Sequence, residues 1–173
     1  MTYSNAVSNL FKDWKKAIPV IVLTIARLIY GWKWFEAGWE KLEWLGNGKA
    51  DAAKKIQGLI DNLVGPKVHG LDPLYLNKLF AWIADKIFLS LPGLTDVLVV
   101  SFEMLIGIVM IIGFRVFWGA LVAMFLNTQF MAAGSGNNFG YIWTNLVIMK
   151  WTKYVDAIGV DGFLRFKKGK DLL

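Results

Sequence analysis

The chain has 173 residues, 56% of them hydrophobic, with nine Trp, twelve Phe, a formal net charge of +6, no Cys and a single His, His69. These counts exclude structural disulfides, thiolate zinc sites, cysteine-ligated iron–sulfur clusters and CxxC redox chemistry, and one histidine excludes an HExxH zinc site and bis-histidine haem ligation within one chain. Several stretches are apolar all round, so the composition implies an all-α integral membrane protein, of a length that suits four spans plus one extramembrane segment.

Residues 1–16 read as a short amphipathic lead-in, with Phe11 and Trp14 on a polar stretch and Lys12, Lys15 and Lys16 before the first span. No small-residue cleavage site follows soon after, so no removable signal peptide is expected. Span one begins near Ala17, with Pro19 near its start, where proline is tolerated. It is strongly apolar to about Trp32 and continues through a mixture of Trp and charged residues to Trp44, as suits a helix leaving through an aromatic belt. Residues 46–92 form a polar insert. Gly46-Asn47-Gly48 is a turn signal. Ala52, Ala53, Ile56, Leu59, Ile60, Leu63 and Val64 recur at helical spacing, and Gly65-Pro66 ends that helix. After a loop through His69, Gly70 and Pro73, a second amphipathic helix is marked by Leu79, Phe80, Ile83, Ile87 and Phe88. The two helices are expected to cap one mouth of the bundle or to lie on the interface.

Span two covers about 94–114, Arg115 marks a very short turn, and span three covers about 116–132. The loop 133–138 carries no charge. Span four starts near Phe139 and fades around Ile158; it is either short, with Lys150 reaching out to the interface, or longer, with Lys150 buried. Lys12, Lys15, Lys16, Arg115, Arg165, Lys167, Lys168 and Lys170 would then be cytoplasmic, and the insert and the 133–138 loop outside, because short positive loops stay inside. The expectation is a multi-pass plasma-membrane protein with both termini cytoplasmic. It is a single four-helix membrane domain, 1–173, with the helical insert 46–92 within it. Lys and Arg collect at the ends, with no basic helix interleaved with aromatics, so no nucleic-acid partner is expected.

Two charges lie inside apolar runs. Glu103 sits in the middle of span two, where a carboxylate costs roughly 2.5–3.5 kcal/mol on insertion scales. Arg27 sits about as deep in span one. Antiparallel neighbours would bring the two together near the bilayer midplane as a charge-assisted pair. The pair either fixes helix register or forms a polar site for a substrate oxygen or a proton. Arg27, Gly31, Phe35, Gly38 and Leu42 share one face of span one, and Glu103, Gly107, Met110 and Phe114 share one of span two. The glycines would admit a close neighbour or a flat ring. Glu36, Glu40 and Glu43 have i, i+4, i+7 spacing, but Lys33 and Lys41 are close and there is no Glu-x-x-His, so salt-bridged interface residues are expected rather than a metal site. Asn127 is a helix-to-helix hydrogen bonder or a site residue, and His69 reads as surface.

Arg27-x3-Gly31-x3-Phe35-x2-Gly38-x2-Lys41 resembles the opening signature of the DoxX/DoxD family of four-helix membrane proteins. Glu103-x3-Gly107-x5-Gly113 resembles its second signature. Asn127 with the loop 133–138 is similar to the third span and following loop of the longer members, and 159–164 to their closing tail. The long insert is similar to that of the thiosulfate:quinone oxidoreductase type. That resemblance implies a membrane subunit that, with a small DoxA-like partner, oxidises thiosulfate to tetrathionate and passes electrons to quinone, a place in sulfur metabolism. On this expectation quinone is a diffusible substrate, with no bound metal, haem or flavin. Arg27 and Glu103 would be catalytic, and Arg27, Gly31, Phe35, Gly38, Lys41, Glu103, Gly107 and Asn127 would line the quinone or substrate site, with Trp34, Phe35 and Trp39 walling the ring. Homo-oligomerisation is compatible. The competing readings are a non-catalytic membrane anchor or assembly subunit and a small-solute or proton carrier, the latter disfavoured by the lack of repeats or a Gly/Pro-broken helix pair.

Overall fold

Helices account for the secondary structure of this computed structural model, which describes residues 2–47, 49–65, 72–135 and 138–173; no strand occurs among the described residues. The order is α1 (Tyr3–Lys12), α2 (Trp14–Glu40), α3 (Ala53–Val64), α4 (Leu76–Ile83), α5 (Pro92–Ile112), α6 (Val116–Ala132), α7 (Phe139–Lys150), α8 (Thr152–Val155) and α9 (Val160–Lys167). A 3-10 turn, Leu42–Leu45, extends α2, and a π-helical turn, Ala84–Phe88, extends α4. His69, with the rest of 66–71, lies outside the described residues, as do Gly48 and residues 136–137.

Local sequence explains most boundaries. Asp13 ends α1 and caps α2, its carboxylate accepting from Lys15 N at 3.1 Å. Pro92 stands in the first turn of α5, where its missing N–H removes no hydrogen bond. Gly113 ends α5 in the left-handed region at φ 70°, and Arg115 enters α6 at φ 51°. This is the short turn expected at Arg115.

α2 and α5 are long and apolar enough to cross a membrane. At about 1.5 Å per residue they span about 40 and 32 Å, against a hydrocarbon core of about 30 Å. α6 is apolar but only 17 residues long. α7 has 12 residues and stops at an exposed Lys150, so of the two alternatives for that region the short helix is the one observed.

The main core lies between α2, α5, α6, α7 and α8: Tyr30, Trp34, Ile106, Met110, Val116, Ala120, Ala123, Ile148 and Val155. A second cluster, Ala52, Ile56, Leu59 and Ala84, with Phe88 packed on it, joins the insert to Trp44, Ala132 and Ala133. The insert is fastened to the rest by Asp96 of α5, 1% exposed, whose two oxygens accept from Asp51 N at 3.1 Å and Ala52 N at 2.7 Å. Asn62 adds a bond to Ala132 O at 2.7 Å. At the opposite end α1 docks on the tail: the Tyr3 hydroxyl donates to Ala157 O at 2.8 Å, and its ring packs on Phe163 and Phe166 of α9.

Candidate functional site

The register of α2 on α5 decides which charges meet. Gly31 lies against Met110 and Gly107, Gly38 against Met104 and Glu103, and Gly107 against the backbone of Phe35. A Cβ on Gly107 would come within 2.5 Å of Phe35 N, and one on Gly31 within 2.8 Å of Met110 Cβ. These glycines therefore serve close helix approach, the packing role that small residues take in membrane helices. They leave no room for a ring.

That register puts Gly38, not Arg27, at the level of Glu103. Arg27 lies eleven residues earlier, about 16 Å along the axis. The expected Arg27–Glu103 pair is therefore not formed. Glu103, 2% exposed, instead pairs with Lys41, whose Nζ donates to Oε2 at 2.6 Å and to Ala37 O at 3.0 Å. Arg27 is equally buried, at the other end of the helix pair. Its Nη2 donates to Ile158 O at 2.9 Å, and Nε and Nη1 have no hydrogen-bond partner. Gly113 and Gly159 press on its guanidinium, and Asp156 and Asp161 supply the nearby negative charge.

Glu103 and Lys41 stand in the wall of a cavity of about 440 Å³. Its sides come from α2 (Trp34, Ala37), α5 (Thr95, Leu98, Val99, Phe102) and α6 (Phe125, Asn127, Phe130), and its roof from Trp44 and from Lys55, Ile56 and Leu59 of α3. The insert thus caps this mouth, one of the two placements expected for it. Most of the wall is apolar; its polar residues are Glu103, Lys41, Asn127, Thr95 and Tyr141, with Lys33, Lys55, Gln129, Ser135 and Asn138. A largely apolar hollow with a few fixed polar groups is the usual form of a small-molecule site.

A polar chain backs the cavity. Asn127, 1% exposed, donates from Nδ2 to the Tyr30 hydroxyl at 3.3 Å, and that hydroxyl donates to Asn145 Oδ1 at 2.8 Å. The Trp34 indole N–H lies beside the same hydroxyl but makes no hydrogen bond of good geometry, and Asn145 Nδ2 is unpartnered. Asn127 is thus both a helix-to-helix hydrogen bonder and a cavity residue.

Among the described residues, then, three of the eight expected site residues, Lys41, Glu103 and Asn127, meet at the cavity. Gly31, Gly38 and Gly107 hold α2 on α5, Phe35 stacks on Trp39 with centroids 5.9 Å apart, and Arg27 belongs to the far end. Of the aromatic trio expected to wall a ring, Trp34 lines the cavity and Phe35 and Trp39 do not. Glu36 pairs with Lys33 at 2.6 Å, the salt-bridged role expected of that carboxylate run. Tyr30, Asn145, Trp44, Thr95 and Tyr141 were not singled out by the sequence reading. A usable signal existed for two of them: Tyr30, Trp34, Ala37 and Lys41 follow i, i+4, i+7, i+11 spacing, and Asn145 is a lone amide in an apolar run.

The fold and cavity define an all-helical protein with two helices able to cross a membrane and a small-molecule-sized hollow beside them. No protein-family model, curated protein or solved structure matches the chain.

Proposed function

We propose that the chain is the membrane subunit of a quinone-reducing oxidoreductase, with the cavity between α2, α5 and α6 as its quinone pocket. The observation that carries this reading is the Lys41–Glu103 ion pair, held at 2.6 Å in the wall of an aromatic-lined cavity. Reducing a quinone to a quinol takes two electrons and two protons. Lys41 Nζ donates a hydrogen bond to one ring oxygen, where negative charge develops, and Glu103 passes protons to it. Asn127 orients the ring, and Trp34, Phe102 and Phe130 enclose it. Electrons come from a partner subunit. The DoxX/DoxD resemblance implies two thiosulfates as the donor, which release two electrons on coupling to tetrathionate. Arg27 takes no part in this pocket.

The accompanying arrangement is a multi-pass plasma-membrane protein with α2, α5, α6 and α7–α8 as four spans. The insert is extracytoplasmic and both termini are cytoplasmic. It is supported by the gathering of α1, the Arg115 turn and α9 at one end, tied by Tyr3 to Ala157 O and by Asp161 N to Gly113 O at 2.9 Å. That clustering puts the short-loop positive charges on one side.

The test is Glu103→Gln, assayed for thiosulfate-dependent reduction of decylubiquinone by the chain with its co-purifying small subunit. A fall of about a hundredfold is expected with assembly intact. Unchanged turnover overturns the proton role. A non-catalytic anchor is the second reading, favoured by the fact that Lys41 and Glu103 already satisfy each other. It predicts that the purified chain binds no quinone and that Lys41→Gln is equally silent.

A further inference from the structure

The end of the molecule opposite the insert carries a second cleft, of about 330 Å³, between the α5–α6 turn and α9. Arg115, Arg165, Lys168 and Lys170 line it, together with Asp156 and Asp161. Both carboxylates are already engaged. Asp156 accepts from Arg165 Nη2 at 2.6 Å, and Asp161 Oδ2 accepts from Val116 N at 3.4 Å. Arg115, Lys168 and Lys170 form no ion pair among the described residues. Arg165 gives its Nη2 to Asp156, Lys153 O and Leu172 O, while its buried Nε has no partner. Four cations against two carboxylates leave the cleft net positive, and Arg115, Lys168 and Lys170 are its cations without an ion-pair partner among the described residues, beside the first turn of α6.

The rim differs from that of a site for a free anion. Phe117 and Trp118, in the first turn of α6, line the cleft and are 41% and 58% exposed. Leu121, one turn further along α6, is also exposed. An apolar track thus leads from the cations along a helix flank open to the surroundings. That combination matches an amphiphile with a negatively charged head and acyl chains, since cationic pockets beside spanning helices hold lipid head groups while aromatic residues sit at head-group depth.

We infer that this cleft is a binding site for the phosphate head group of an anionic phospholipid, with Arg115, Lys168 and Lys170 contacting the phosphate and the acyl chains lying along Phe117, Trp118 and Leu121. The site is separate from the cavity at Glu103; it rests on the membrane arrangement proposed above and not on the quinone chemistry.

The full chain, purified in a neutral detergent and titrated with dioleoylphosphatidylglycerol, dioleoylphosphatidylcholine or inorganic phosphate, tests this by native mass spectrometry and thermal unfolding. Phosphatidylglycerol is expected to leave a retained one-to-one adduct and to raise Tm, and phosphatidylcholine to do neither. Lys168→Gln/Lys170→Gln, both exposed positions, should weaken phosphatidylglycerol binding by about twenty-fivefold, fivefold per charge, and adding Arg115→Gln should abolish the retained adduct. Glu103→Gln should bind the lipid as the unaltered chain does. Phosphatidylglycerol binding undiminished in the Lys168/Lys170 double variant overturns the site. Equal protection by millimolar inorganic phosphate overturns the lipid as its ligand.

Discussion

At the scale of single residues, the chain keeps one carboxylate in an apolar helix by giving it one ammonium. Lys41 reaches Glu103 from beyond the end of α2, where its side chain still keeps 19% exposure. Removing one member of such a pair leaves an uncompensated charge, which costs about 3–5 kcal/mol, whereas replacing both by apolar residues of similar volume is close to neutral. Lys41→Met is therefore expected to lower stability by about 3 kcal/mol, and Lys41→Met/Glu103→Leu to recover most of it, as read from thermal unfolding in detergent. A double variant no more stable than Lys41→Met would mean that the pair contributes through packing. Glu103→Gln is milder because the amide keeps the volume and still accepts from Lys41, and because Lys41 retains Ala37 O. Glu103 was legible from sequence alone as a charge in an apolar run. Its partner was not. Arg27 lies on α2 and Lys41 just past its end, and only the register of α2 on α5 decides between these two cations.

At the scale of elements, glycine contacts set that register. A Cβ at Gly107 would collide with the Phe35 backbone, which no side-chain rotation relieves. Gly107→Ala should part α2 from α5 and cost about 1–3 kcal/mol or prevent assembly. Gly140, on α7, meets nothing within 4 Å, so Gly140→Ala should be neutral or stabilising by up to about 1 kcal/mol. Unfolding midpoints of the two variants measured side by side check the contrast; equal effects would remove the register from Gly107. The insert depends on a different device. Asp96 caps the start of α3 from α5 through two backbone N–H groups. Asp96→Ala should cost about 1–2 kcal/mol, the usual range for a lost cap. It should also open the insert to limited proteolysis near Asp51 while the spans stay protected. Helical periodicity in 52–64 located α3, but nothing local marks a carboxylate some forty residues on as its cap.

At the scale of the whole molecule, the two ends differ. The insert closes the cavity end, and α1, the Arg115 turn and α9 close the other, where most of the short-loop Lys and Arg collect. With no cysteine in the chain, single-cysteine labelling reads orientation without background. Asn47→Cys and Lys168→Cys, both at exposed positions, should label from opposite faces of sealed membrane vesicles, the second from the cytoplasmic side. Labelling of both from one side would overturn the orientation. The short α7 was only half legible. Its apolar residues run on towards Ile158, but the helix stops at Lys150, and the chain turns through α8 to bury Val155 and Asp156.

Apolar composition, unbroken hydrophobic runs and helix-stop residues are local properties, so the sequence by itself determined an all-helical chain, spans one and two of the four expected as helices long enough for a bilayer, the amphipathic insert and the suspicion attached to Glu103. Which cation neutralises Glu103, which aromatics enclose a cavity and where Arg27 ends up depend on how two long helices slide past each other. A shift of three turns leaves every local pattern unchanged and alters every pairing between them. Backbone contact at Gly31, Gly38 and Gly107 fixes that shift, and it exists only once the helices have met.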